Sequence, residues 1–157
     1  MTTTLAIDPS STCTGWAIAK DGKIVNGGLI RPKASWSAIR RVEAMVDGIL
    51  PLAHDAVNVV VEIPSGKQAG RIKGRAQGLT TYGMAAGAVY GALYALHDCQ
   101  MIPITEAQWT GSRRKKDRPI LAAGLWHGYS DQAETDKGMD LADAICLLDW
   151  WLRKENP

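Results

Sequence analysis

Apolar residues recur along this chain with periods that divide it into strands and helices. Residues 3–8 form an apolar run that ends on a carboxylate, Leu5-Ala6-Ile7-Asp8, the pattern of a buried strand. A second strand is predicted over 15–19. Asp21-Gly22 then turns the chain into a third over 23–30, since that dipeptide suits a two-residue hairpin. Over 35–50 the positions Trp36, Ile39, Val42, Met45, Val46, Ile49 and Leu50 fall at helical spacing, and Pro51 is expected to stop the helix. Residues 56–63 are nearly continuous β-branched apolar, as in a strand covered on both faces. A basic, glycine-containing loop, 64–75, leads to a long helix over 76–97. A short strand over 101–104 and helices over 118–126 and 139–152 complete the chain.

This β-β-β-α-β-α-β-α-α order is that of an antiparallel meander followed by right-handed crossovers. The expected fold class is α/β, a five-stranded mixed sheet (three antiparallel strands plus two parallel) with helices on both faces. No repeat, low-complexity segment or linker divides the 157 residues, so 1–157 is expected to be a single domain. If the fourth strand lies parallel beside the first, Asp8 and Glu62 emerge at the same carboxyl edge, where open α/β sheets tend to place their sites. Asp140 and Asp143, three residues apart, share one face of the last helix. That helix, packed across the edge, would complete a cluster of four carboxylates.

Carboxylates in apolar settings neutralise, pair or bind a cation. Four together make an oxygen-only site suited to Mg²⁺. The bland readings differ from site to site. Asp8, before Pro9-Ser10-Ser11, also fits the start of a turn. Asp140 and Asp143 also fit an N-cap and an N3 acid of a capping box. Glu62, in Val59-Val60-Val61-Glu62-Ile63, has no obvious partner and carries the most weight.

Net charge is only +2, but its distribution changes the picture. Lys67, Arg71, Lys73 and Arg75 lie in an interval without acids, and Arg113, Arg114, Lys115, Lys116 and Arg118 form a second basic cluster. Basic loops beside an acidic centre suit a polyanion held over a metal site, although single basic runs are commonly solvated surface. The three cysteines show no paired spacing, so neither a disulfide framework nor a zinc site is expected. With no signal-like N-terminus and no spanning segment, a cytoplasmic protein without membrane association is expected.

Three segments resemble one known family. Ala6-Ile7-Asp8-Pro9 with Thr14-Gly15-Trp16-Ala17, Val60-Val61-Glu62 with its basic loop and Gly/Ala-rich helix, and Asp140-Leu141-Ala142-Asp143-Ala144 look like the acidic motifs of the RuvC-type Holliday junction resolvases. The resemblance covers nearly the whole chain in order and spacing. It implies an RNase H-like fold and a Mg²⁺-dependent endonuclease that resolves four-way DNA junctions, in a form suggestive of a phage or mobile element. Asp8, Glu62, Asp140 and Asp143 would be both catalytic residues and metal ligands. Two Mg²⁺ ions roughly 4 Å apart, replaceable by Mn²⁺, would activate water for in-line hydrolysis. Asp8 is the candidate bridge, and which ion takes Asp140 or Asp143 stays open. No small-molecule cofactor is expected.

Lys67, Arg71, Lys73, Arg75, Arg113, Arg114, Lys115, Lys116 and Arg118 would contact DNA phosphates, and Lys115, Lys116 or Arg118 would stabilise charge on the scissile phosphate. The family's junction-opening side chain has no aromatic counterpart in the first loop, which offers only Gln68 and Ile72. Gly83, Gly87 and Gly91 recur every four residues. Glycine costs a helix interior about 1 kcal/mol, so the stripe calls for either tight packing on its own sheet or a two-fold homodimer interface. The six tryptophans are more often core than base-stacking surfaces, and Trp109, between the fifth strand and the second basic cluster, is the one candidate for nucleic acid contact.

Other readings separate by substrate or class. The same chemistry would serve structured RNA or other branched DNA. An actin-like nucleotide-binding ATPase would need a glycine within 9–12 and a second lobe. A non-catalytic DNA-binding module would not need four acids.

Overall fold

The computed structural model describes residues 1–65, 76–96, 98–111 and 114–155. Strands β1 (Thr3–Asp8), β2 (Thr14–Lys20), β3 (Lys23–Ile30), β4 (Asn58–Ile63) and β5 (Gln100–Thr105) form one sheet in the order β3-β2-β1-β4-β5. The β1–β2 and β2–β3 pairs are antiparallel, while β1–β4 and β4–β5 are parallel, the expected mixed sheet. The hairpin at Asp21-Gly22 has φ of 48° and 79°, both left-handed, as a two-residue turn of matching twist requires.

The central strands β1 and β4 are fully covered because their side chains alternate between two apolar layers. Leu5, Ile7, Val59 and Val61 point to one side, with Ile49, Ala53, Val89 and Leu93. Ala6 and Val60 point to the other, with Ile104, Trp109, Leu141, Ile145 and Leu148. The first layer is closed by helices α1 (Ala38–Ile49) and α2 (Ala76–Leu96), and the second by α3 (Glu106–Trp109), α4 (Arg118–Leu125) and α5 (Asp140–Glu155).

Element ends depart from expectation where local caps decide them. Helix α1 starts at Ala38 because the Ser37 side chain accepts from Arg40 N, a standard N-cap. Pro51 does not end the helical path. It lies in a 3-10 turn, Leu50–Ala53, that continues from α1, where its missing N–H costs little. The single-turn α3 was not predicted; Thr105 and Gln108 cap it reciprocally, with Thr105 N donating to Gln108 Oε1 at 2.8 Å. Among the described residues, no helix is long and apolar enough to cross a membrane.

Candidate active site

Ile7 is in register with Val61 across the parallel β1–β4 pair. The next residues on these strands are Asp8 and Glu62, so both carboxylates leave the sheet at one edge, as the strand order predicted. The turn after Asp8 is closed by other residues: Ser10 N donates to Thr14 Oγ1 at 3.1 Å, and Thr14 Oγ1 donates back to Ser10 O at 3.1 Å.

Gly15 brings the last helix to the same edge. This β2 residue pairs with Asp8 of β1, and a Cβ there would collide with the backbone carbonyl of Asp140. Only a residue without a side chain lets the start of α5 approach so closely.

Asp140 and Asp143 are not the capping groups of α5. That task falls to Asp136, which is 4 % exposed. Its Oδ1 accepts from Leu141 N at 3.1 Å, and its Oδ2 from Ala142 N at 3.0 Å. Tyr129 donates its hydroxyl to the same Oδ2 at 3.2 Å. With the first-turn amides satisfied from outside the helix, Asp140 and Asp143 remain available to the sheet edge. Asp136 was legible only as one of several acids before the helix, and its capping role was missed.

Glu62 is 7 % exposed and has two partners that its own strand does not suggest. Tyr82 of α2 donates to Oε1 at 2.9 Å, and the Trp109 indole donates to Oε2 at 2.6 Å. Burial pushes the Glu62 carboxyl up to about 7, with the Trp109 and Tyr82 hydrogen bonds working against the rise. Trp109 is thus a buried support for Glu62 and, at 2 % exposed, not a surface for nucleic acid. No sequence spacing connects residues so far apart in the chain.

Asp143 lies between two cations. Arg118 Nη1 donates to its Oδ1 at 2.8 Å, and Lys115 Nζ stands 3.6 Å from its Oδ2. Burial still holds the Asp143 carboxyl above the ordinary carboxylate range, against both partners. Asp8 is raised well above that range, first by burial and then by repulsion from Glu62, Asp143 and Asp140, with Lys115 opposing. Asp140 is raised too, mainly by burial, against a hydrogen bond from Cys13. The four acids therefore share one electrostatic environment.

Among the described residues, no three His, Cys, Asp or Glu side chains already converge as a coordinating set. Glu62 is tied to Tyr82 and Trp109, and Asp143 to Arg118. The donor chemistry nonetheless fits a hard divalent cation. All four groups offer carboxylate oxygen, and each is pushed toward neutrality, the strain that a bound cation relieves.

The expected phosphate-binding residues separate into three groups. Lys67, Arg71, Lys73, Arg75 and Arg113, with Gln68 and Ile72, lie outside the described residues. Arg114, Lys115 and Lys116 are exposed, Arg114 being paired with Asp117 at 2.8 Å. Arg118 is a correction. It is 4 % exposed, bonded to Asp143, 3.6 Å from Glu106 and 4.8 Å from the Trp109 ring centroid. It organises the site from behind and presents no face to a DNA backbone.

The glycine stripe of α2 does not serve packing on the chain's own sheet. The buried residues of α2 are Ala85, Ala86, Val89 and Leu93, and Val89 and Leu93 pack with the β1 and β4 side chains. Among the described residues, a Cβ on Gly83, Gly87 or Gly91 would meet nothing within 4 Å.

No family model matches the chain. The crossover junction endodeoxyribonuclease RuvC of Nitratidesulfovibrio vulgaris strain DP4 is 28% identical over 162 aligned positions, covering 93% of this chain and 90% of that protein. The RuvC of the Hildenborough strain is 27% identical over the same shares. Thermus thermophilus RuvC, solved in complex with a Holliday junction substrate, superposes with a TM-score of 0.72 at 18% identity, over 98% of this chain and 96% of that one. The fowlpox virus Holliday junction resolvase gives 0.60 at 10% identity, over 98% and 99% of the two chains. Over nearly its whole length the chain is similar to the RuvC crossover junction endodeoxyribonucleases, and its five-stranded mixed sheet has their RNase H-like fold.

Proposed function

We propose that this chain is a divalent-metal-dependent DNA endonuclease, one nuclease domain over 1–157, that resolves four-way junctions as a homodimer. The observation that carries the reading is the set Asp8, Glu62, Asp140 and Asp143. They come from two adjacent strand ends and one helix start, repel one another, and are opposed by Lys115. A fold needs no such cluster for stability. The RuvC relatives and the junction-bound Thermus thermophilus protein supply the substrate class.

Asp8, Glu62, Asp140 and Asp143 would hold two Mg²⁺ ions, with Mn²⁺ as a substitute. When bound, the metal supplies an activated water and counter-charge for the departing 3′ oxygen. The protein's own part is positional. Tyr82 and Trp109 fix the two oxygens of Glu62, Asp136 fixes the start of α5, and Arg118 holds Asp143 in place. Exposed Lys115 is the cation placed to meet a phosphate beside Asp143. Arg114 and Lys116, with the basic residues of 67–75 and Arg113, would contact the DNA backbone.

The open glycine face of α2 supports the homodimer. Stacked Tyr90 and Tyr94, centroids 6.4 Å apart, border it. A mostly apolar cavity of about 320 Å³, lined by Ile63, Pro64, Gly83, Gly87, Tyr90 and Pro103, flanks it on the sheet side. A two-fold dimer formed there would present two sites to the two opposed strands of a junction.

Incubating the purified protein with Mg²⁺ and a synthetic four-way junction, linear duplex and hairpin RNA tests the reading. Paired nicks bearing 5′-phosphate ends in the junction, with the duplex spared, are expected. Cutting of the RNA in preference to the junction would replace the substrate assignment.

A further inference from the structure

The carboxylate cluster has a second flank, beside Asp140 rather than Asp143. Next to Asp140 lies a cavity of about 550 Å³ lined by Thr12, Cys13, Arg31, Glu134, Thr135, Lys137, Gly138 and Asp140. Cys13 and Arg31 line this cavity together with Asp140, so Arg31 stands on the same groove as the edge of the acidic centre. Arg31 is exposed and is anchored by an Nη2 donation to the Thr135 carbonyl. That bond leaves its other donors for a ligand. Lys137 is exposed on the same groove.

Beyond Arg31 the surface stays cationic. Residues 31–42 contain no Asp or Glu, but include Arg31, Lys33, Arg40 and Arg41. Lys33 Nζ stands 5.7 Å from the centroid of the half-buried Trp36 ring, and the Arg40 guanidinium 4.5 Å from it. The loop from Arg31 to the start of α1 thus offers guanidinium, ammonium and an indole in sequence, as a surface for a sugar-phosphate chain does. Glu134 is the one acid on the groove besides Asp140, and two cations against it leave the approach to Asp140 attractive to phosphate.

We infer that the groove of Thr12, Cys13, Arg31 and Lys137 is a backbone subsite. It would seat the phosphates of the nucleic-acid strand that leaves the carboxylate cluster on the Asp140 side, with the Lys33–Trp36–Arg40 surface continuing its path. This rests on the nuclease reading above and adds to it residues that the basic clusters at 67–75 and 113–118 do not include. Two positively charged flanks, Lys115 beyond Asp143 and Arg31 with Lys137 beyond Asp140, would then hold one strand across the acids from both directions.

The test is binding of a fluorescently labelled four-way junction by anisotropy, without divalent metal so that no strand is cut, across a salt series. The Arg31→Ala/Lys137→Ala variant is expected to bind about tenfold more weakly, with a log–log salt slope smaller by about two. Arg31→Lys/Lys137→Arg should keep most of the affinity, since charge is retained. Wild-type affinity and slope in the alanine variant would overturn the subsite while leaving the carboxylate reading intact. Weaker binding with an unchanged slope would also overturn it, as a structural loss unrelated to phosphate. A wild-type protein that does not bind the junction at all would remove both the nuclease reading and the subsite.

Discussion

The indole N–H of Trp109 donates to Glu62 Oε2 at 2.6 Å in a buried setting, tying the end of α3 to the carboxylate on β4. This bond does two things. It orients one oxygen of Glu62, and it opposes the rise that burial imposes on the carboxyl. Trp109→Phe keeps the ring's packing and removes only the donor. The Glu62 carboxyl should rise further above about 7. Mg²⁺ affinity by isothermal titration should fall roughly 10-fold at neutral pH, in line with loss of an outer-shell hydrogen bond.

The metal-free protein should be less stable at pH 8 than at pH 5.5. Glu62 is raised from 4.5 to about 7 in the fold, so between those values the folded state binds more protons than the unfolded chain. Stability therefore falls as pH rises through that window. Asp8, Asp140 and Asp143 are shifted in the same direction. Thermal melts in EDTA should show Tm falling across the window, and Mg²⁺ should restore it at pH 8. The Glu62→Gln protein should show a shallower decline.

Gly15→Ala places a methyl group against the Asp140 backbone. Because backbone cannot yield as a side-chain end does, the start of α5 must shift. A destabilisation of about 1–3 kcal/mol is expected in chemical denaturation, together with weaker Mg²⁺ binding. Unchanged binding would show that Asp140 needs no such approach.

Asp136→Ala removes the acceptor of two helix amides and of the Tyr129 hydroxyl. The cost should be about 2 kcal/mol or somewhat more, the upper range for a lost N-cap, because the orphaned groups are buried. Asp136→Asn keeps an acceptor oxygen and should recover part of that loss. The two variants compared in urea melts separate capping from charge.

The sheet was legible in the sequence because its periods are unambiguous. The continuous apolar run at 56–63 and the Asp21-Gly22 turn left little choice of architecture, and the parallel placement of β4 beside β1 put Asp8 and Glu62 on one edge. The pairing of Asp140 and Asp143 was legible from helical spacing, but their freedom from capping was not, since it depends on Asp136 reaching forward from a turn. The supports of Glu62 were illegible for a related reason. Tyr82 and Trp109 meet it only after α2 and α3 have folded back. Arg118 read as one of several surface cations because burial within a basic run has no local signature; its pairing with Asp143 is made across two helices.

The central claim is that Glu62 and its three neighbours form the cleavage site. Its most direct measurement compares wild-type protein with Glu62→Gln on a labelled four-way junction in Mg²⁺, scoring cleavage and binding separately. Cleavage should fall by roughly 100-fold or more, as loss of a metal ligand implies, while junction affinity in the absence of metal stays within about twofold because phosphate contacts carry it. Cutting at the wild-type rate by the Glu62→Gln protein would contradict the account.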